Sequence, residues 1–463
     1  MDDIINKSPF EIPNVKRFIA FRVFFNARFY YPVFTIFFLD FGLTLEQFAI
    51  LNAIWAIAIV VFEVPSGALA DIVGRRNLLV AAGVLMVIEM GILSFAPMGN
   101  PPLLFILFII NRILSGTAEA AASGADEALA YDSLKIEGDR EDWGLVLEKQ
   151  MRIQSIAFIG AMTVGAAVYD HNVMQYAADL LGLNITLTQK MTIRFPVFLT
   201  FLMALMTLFT TMRMKDIVFR ENPYSEERKE CRKTVVEAFK LTLRAGYWIL
   251  KTPFAWVVIV VGLFFDSILR MVLTLSSQYF RLIEFPEASF GLIGSGMALL
   301  GLIIPRLSRK MAEDGTPLFY MGTMAVIAFI GLQGMSFVIP IAGLLPVIFL
   351  RSDTLLLRFF LSHYLNRVTD SAQRATVLSF KGMSLNSAYG LMGLLYSILV
   401  AALRNRMTVI DVHPGGQSME DIIFINALRW FPWCLLVSLI VISIFVFWGM
   451  RQSEEFLRKG SSS

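Results

Sequence analysis

The chain has 463 residues, 56% of them hydrophobic and 17% charged, with a mean hydropathy of +0.65. A water-soluble chain of this length carries more charge and less apolar surface, so the composition places this one in a lipid bilayer. The net charge of +3 reflects basic loops rather than nucleic-acid binding, and the two cysteines, Cys231 and Cys434, have no metal-ligand spacing.

Twelve apolar stretches of about 20 residues follow one another, each long enough to cross roughly 30 Å of hydrocarbon as a helix. In the first half the predicted spans are Arg17 to Leu39, Gln47 to Ala70, Asn77 to Phe95, Pro102 to Ala122, Gln150 to Tyr169 and Phe195 to Met212. In the second half they are Phe254 to Phe280, Phe290 to Leu307, Leu318 to Phe337, Ile341 to Leu365, Leu378 to Leu403 and Arg429 to Met450. Runs this long and continuously apolar exclude a β-barrel, whose strands alternate over about ten residues. The expected fold is therefore an all-α polytopic membrane protein. Residues 1–16 form a polar tail without a signal-peptide pattern. Residues 17–212 and 253–450 form two six-helix bundles, 213–252 a linker and 451–463 a second tail. Within the linker, Ser225 to Lys251 has the spacing of an amphipathic helix, read equally as membrane-surface or solvated. Roughly 28 of the 40 Lys and Arg residues fall on the side of both termini and about 5 opposite, which puts both termini in the cytoplasm.

Between the second and third spans stands Gly67-Ala-Leu-Ala-Asp71-Ile-Val-Gly74-Arg75-Arg76. Gly67 is expected to allow close helix approach, Gly74 to free the backbone, and Asp71 to pair with Arg75 at a cytoplasmic gate. Asp126, Glu127 and Asp132 follow the fourth span near the same mouth, and at least one of them is expected to join this gate. About half a chain later a degraded copy begins at Gly301, keeping Arg309 and Lys310 but with Pro305 and Ser308 in place of the Asp and Gly. The stretch resembles the G-x-x-x-D-x-x-G-R-R/K motif of the major facilitator superfamily, in the loop where that family carries it. Arg112-Ile-Leu-Ser-Gly116 resembles the family's fourth-span R-x-x-x-G element. The opening of the eleventh span, from Arg374, is similar to that of bacterial, efflux-type members. The resemblance implies two pseudo-symmetric bundles rocking about a midplane site, with the first, fourth, seventh and tenth helices lining the cavity.

Ionisable residues within the spans mark candidate sites, because each costs about 2.5–3.5 kcal/mol to insert. On the first span Arg22, Asn26 and Tyr30 recur at four-residue steps, with Arg28 on another face; Arg22 is read equally as a snorkelling or a site residue. Arg112, Ser115 and Glu119 share a stripe on the fourth. Asp266 and Arg270 stand at i and i+4 on the seventh, close enough to neutralise one another, so that a proton reaching Asp266 would free Arg270. Arg351, Thr354 and Arg358 form a stripe on the tenth beside Asp353. Asn26, Arg28, Tyr30, Arg112, Arg270, Arg351 and Arg358 are the candidate cavity residues, and Glu119, Asp266 and Asp353 the candidate proton carriers. Glu63 is read as a gating acid, together with Gly67, Asp71, Gly74, Arg75, Arg76 and Asp126. Static pairing explains the same spacings. Tyr30, Tyr31, Tyr389 and Tyr396 read mainly as core packing, and Glu89 finds no evident partner.

No phosphate-cradling loop and no nucleophile–base pair occurs, so neither ATP-driven transport nor an enzyme is expected, and no cofactor or metal is implied. The expected function is proton-coupled secondary transport of a small organic solute by a monomer in the bacterial inner membrane, with export slightly favoured. Guanidinium groups favour an anionic or amphipathic solute. Uptake of an organic anion or metal chelate, a non-transporting sensor and a lipid translocator remain alternatives.

Overall fold

A computed structural model describes residues 8–216, 237, 240, 243–244, 246–369, 374–406 and 418–450. Most of the linker and of its expected amphipathic helix, with Cys231, lies outside these residues, as do both extreme tails. The described chain is all helix and connecting turn, arranged as twelve spans in two six-helix bundles.

Ten stretches are long and apolar enough to cross a membrane. The two remaining spans fall short for identifiable reasons. The tenth, Leu344–Val368, carries Arg351, Asp353 and Arg358 close together. The first is split: a helix over Pro13–Asn26 ends, a 3₁₀ turn forms at Tyr31–Val33, and helix resumes at Phe34–Asp40. Pro32, which lacks an N–H, stands in the first turn of the resumed helix, a position that tolerates it, and so marks where helix restarts.

Irregular backbone at this depth needs partners. Thr200 of the sixth span (Phe195–Met212) accepts from Phe29 N at 3.0 Å. Ser277 Oγ accepts from Thr35 N and Ile36 N at 2.9 and 3.2 Å. Ser277 lies just past a matching break in the seventh span, where Pro253–Thr274 gives way to Ser276–Leu282. Two interrupted helices thus face each other across the halves.

Local signals fix the other ends. Thr44 and Gln47 form a capping box at the start of the second span, Leu45–Val73, which stops at Gly74, held at φ +93°. Asn100 caps the fourth, Pro101–Ala122, and Thr316 the ninth, Pro317–Met335. A further helix, Ala125–Glu137, follows the fourth span and was not expected from the sequence. Asn14 bonds Ser133 and Lys215, gathering this helix, the first span and the end of the sixth at the Gly67–Arg76 end of the molecule, called here the loop end.

The halves meet along two seams: the second span against the eleventh, Arg374–Arg406, and the fifth, Trp143–Tyr169, against the eighth, which runs Ser289–Ala298 and Leu300–Asp314. Small residues let the backbones approach, as membrane helices require. At Gly291 an added Cβ would run into Met162 O of the fifth span. Gly291→Ala should therefore wedge this seam and lower the unfolding temperature in detergent, by about 1–3 kcal/mol of stability; an unchanged melt would refute the tight contact. Gly67, expected to make such an approach, instead has nothing within 4 Å of where its Cβ would stand and is exposed.

Candidate substrate cavity and gates

Between the interrupted helices lies a cavity of about 270 Å³. Tyr31, Phe34, Asn52, Trp55, Arg112 and Ser115 line it from the first half; Arg270, Thr274, Ser276 and Tyr389 face them from the second. Trp55 also borders a second cleft, of about 530 Å³, on the loop-end side, where Asn26, Glu63, Glu119 and Asn386 stand.

The charges in and around the cavity differ in partnership. Arg270 Nη2 donates to Asp266 Oδ2 at 2.5 Å and Nη1 to Asn386 Oδ1 at 2.9 Å, while the guanidinium sits 4.9 Å from the centroid of Tyr389. The Tyr389 hydroxyl is 3.1 Å from Thr274 Oγ1. Arg112 is buried at 4% exposure, and its Nε and Nη2 have no partner. Its guanidinium lies over Phe34 and Phe38, 5.2 and 4.9 Å from the ring centroids.

Several predicted cavity residues stand elsewhere. Arg28 is buried in an ion pair with Glu89 of the third span, Arg75–Phe95, which also accounts for that acid. Tyr30 is packed away, because the helix stops at Asn26 and the four-residue stripe does not continue past the break; Tyr31 reaches the cavity instead. Arg351, Arg358 and Asp353 are not among the lining residues. Asp353 is fully buried and neither carboxylate oxygen has a partner. The second half contributes its guanidinium through Arg270. Tyr389, expected to be core packing, forms cavity wall. The residues missed in the sequence, Asn52 and Trp55, share one helix face at i and i+3, a polar and aromatic pair in an apolar span.

At the loop end Arg75 donates to Asp132. Asp126 pairs instead with Arg22, at 2.6 Å, and Arg22 also reaches Glu127 at 2.5 Å. Arg76 holds the carbonyls of Met212 and Met214 at 2.9 and 3.0 Å. The Asp71 side chain lies outside the description. Gly74 has the expected positive φ and abuts the Asp216 side chain.

The opposite, far end is closed by a cluster that the sequence did not disclose. Arg281 forks onto Asp40 at 2.8 and 2.6 Å and reaches Glu287 at 2.5 Å. Tyr169 donates to Asp40 at 2.5 Å, and Ala288 N to Asp170 at 3.2 Å. Burial pushes the Glu287 carboxyl above its usual range against the pull of Arg281. Arg404 binds Glu46 at 2.6 and 3.0 Å and also pairs with Glu420. Among the described residues, the ion pairs that join the two halves, Arg281–Asp40 and Arg404–Glu46, both stand at this end.

Twelve spans in two bundles around a central cavity, with ion pairs joining the halves at one end, are the architecture of a membrane transporter. The sequence profile of the Major Facilitator Superfamily matches residues 18–403, and the chain belongs to that superfamily. It is accordingly a transporter and not an enzyme. Among solved structures it resembles a bacterial homologue of the human lysosomal transporter Spinster, in an inward-facing and occupied conformation, with a TM-score of 0.65 at 13% identity over 96% of this chain and 98% of that one. It also resembles the nucleoside transporter NupG (TM-score 0.64, 12% identity, 94% and 99% covered) and a D-xylose–proton symporter (0.57, 14%, 91% and 97%). At these identities the likeness is one of fold. No curated protein matches the chain in sequence.

Proposed function

We propose that the protein is a monomeric, proton-coupled secondary transporter that exports small anionic or amphipathic organic solutes across the bacterial inner membrane, with both termini in the cytoplasm. The observation that carries this reading is the cavity between the halves, in which one arginine is neutralised by a carboxylate and another is not. Protonation of Asp266 removes the charge that holds Arg270, and the freed guanidinium can then engage solute or the facing half. Glu119, in the loop-end cleft, is a second station for the proton; Asp353, enclosed away from both, is a third candidate. The bundles 17–212 and 253–450 rock about the cavity, with 213–252 as the linker. Glu63 and the Gly67–Arg76 loop, with Asp71, Arg75 and Arg76, gate the cytoplasmic side, and Arg75–Asp132 is its described contact.

The test is solute-evoked proton movement in proteoliposomes. Asp266→Asn is expected to reduce it at least about tenfold, the loss of a titratable station at one coupling site. Unchanged proton movement in this variant would remove Asp266 from the coupling role. Depletion of solute from intact cells supports export, and accumulation would reverse the direction.

A further inference from the structure

We propose that the central cavity selects small planar monocarboxylates, whose head group is taken by the unpartnered edge of Arg112. This rests on the transport reading above and names its substrate class.

The first argument is a charge count. Arg28 is neutralised by Glu89 and Arg270 by Asp266, whereas no carboxylate stands within ion-pair distance of Arg112 among the described residues. Glu119 is seven residues further along the same helix, about 10 Å of rise away. The cavity wall therefore holds one uncompensated positive charge. A buried guanidinium without a partner is costly, and a single negative charge relieves it. A dianion would leave an unmatched negative charge in its place, and an amine would set two cations together.

The second argument is geometric. Nε and Nη2, the edge that pairs with both oxygens of a carboxylate through two parallel hydrogen bonds, are closed off from the cavity in this conformation, so the edge must turn into it as the ligand enters. The guanidinium carbon lies over the rings of Phe34 and Phe38, so the charge rests against apolar rings and not against an acid. Size sets the rest of the ligand. About 270 Å³ lies below the roughly 300–1,000 Å³ range of sites for drug-sized ligands, so one ring with its head group fills it. The rings of Tyr31, Phe34, Trp55 and Tyr389 supply flat apolar wall, which suits an aromatic body.

The experiment uses purified full-length protein and benzoate as probe, with phthalate, phenyl phosphate and benzylamine for comparison. Binding is read by calorimetry, and exchange by counterflow of labelled benzoate in proteoliposomes with no pH gradient. Benzoate is expected to bind at least about tenfold tighter than the other three, and Arg112→Gln to weaken it about tenfold or more, as for loss of a charged hydrogen-bond pair. Arg112→Lys, which keeps the charge but not the edge, should lose nearly as much while eluting as wild type on gel filtration. Equal benzoate binding by Arg112→Gln or Arg112→Lys, a preference for benzylamine or phthalate, or no benzoate binding overturns the proposal. Neither readout needs proton coupling. Arg112-dependent binding without proton movement would refute the coupled-transport reading alone, and proton movement with other solutes but no such binding would refute this inference alone.

Discussion

Replacing Glu89 by leucine is expected to remove about 3–5 kcal/mol of stability, the usual cost of stripping one partner from a buried ion pair. Glu89 is fully buried and Arg28 is 3% exposed, so no solvent remains to take up the abandoned charge. The pair also ties the first span, within its break, to the third. Asn111 of the fourth span donates to the Glu89 carbonyl at 2.8 Å, and this backbone bond survives the substitution. The loss should therefore come from Arg28 itself. Adding Arg28→Leu to Glu89→Leu should restore most of the stability, because two well-packed apolar residues often replace a buried pair without cost. Thermal unfolding in detergent checks both variants. A single variant that melts with the wild type, or a double variant that melts with the single, would show that the pair does not bear the load assigned to it.

Arg281→Ala should open the far end. One guanidinium there joins Asp40 of the first span to Glu287 after the seventh, and Asp40 in turn holds Tyr169 of the fifth. The side chains of Arg281 and Asp40 are 31% and 21% exposed, so screening reduces the interaction to about 1–2 kcal/mol. Even so, that moves the balance between far-end-closed and far-end-open forms about tenfold. Labelling of a cysteine placed at half-buried Phe285, two residues before Glu287, should accelerate accordingly; an unchanged rate would mean the cluster does not hold the mouth shut. The acid Glu287 gives the mouth a pH dependence of known sign. Its carboxyl is raised in the closed cluster, so the closed form binds the proton more tightly than an open, solvated one. Its contribution to closure is fully present below the open-form value and is lost as pH rises through the closed-form value. Labelling at Phe285 should accordingly quicken with rising pH, and flatten in Glu287→Gln.

Spans and their ends were legible wherever local chemistry decides them. The sixth span is the helix foreseen, Phe195–Met212, with Pro196 in its first turn and Arg213 just past its end. The break in the first span was not foreseen, because hydropathy does not register a missing N–H; Pro32 was the available signal. Helical spacing correctly grouped Arg112 with Ser115 and Asp266 with Arg270. It cannot say which neighbour a shared face meets, so Arg351 and Arg358 were assigned to a cavity they do not line. The Asp40–Arg281 fork joins residues 241 positions apart and exists only through the packing of the halves, so no local pattern announced it.

The broken first span and the charged tenth set terms for how the chain enters the bilayer. Each charge at mid-membrane costs about 2.5–3.5 kcal/mol to insert, and the first span brings Arg28 within its break, two residues past the end of a helix of 14 residues. The carboxylate that neutralises it follows 61 residues later. At synthesis rates of roughly 5–20 residues per second, that is about 3–12 s during which the first span has no partner for its charge. Its stable placement across the membrane is therefore expected to wait for the third span. Membrane integration of this protein is expected to be cooperative from its first helix onward.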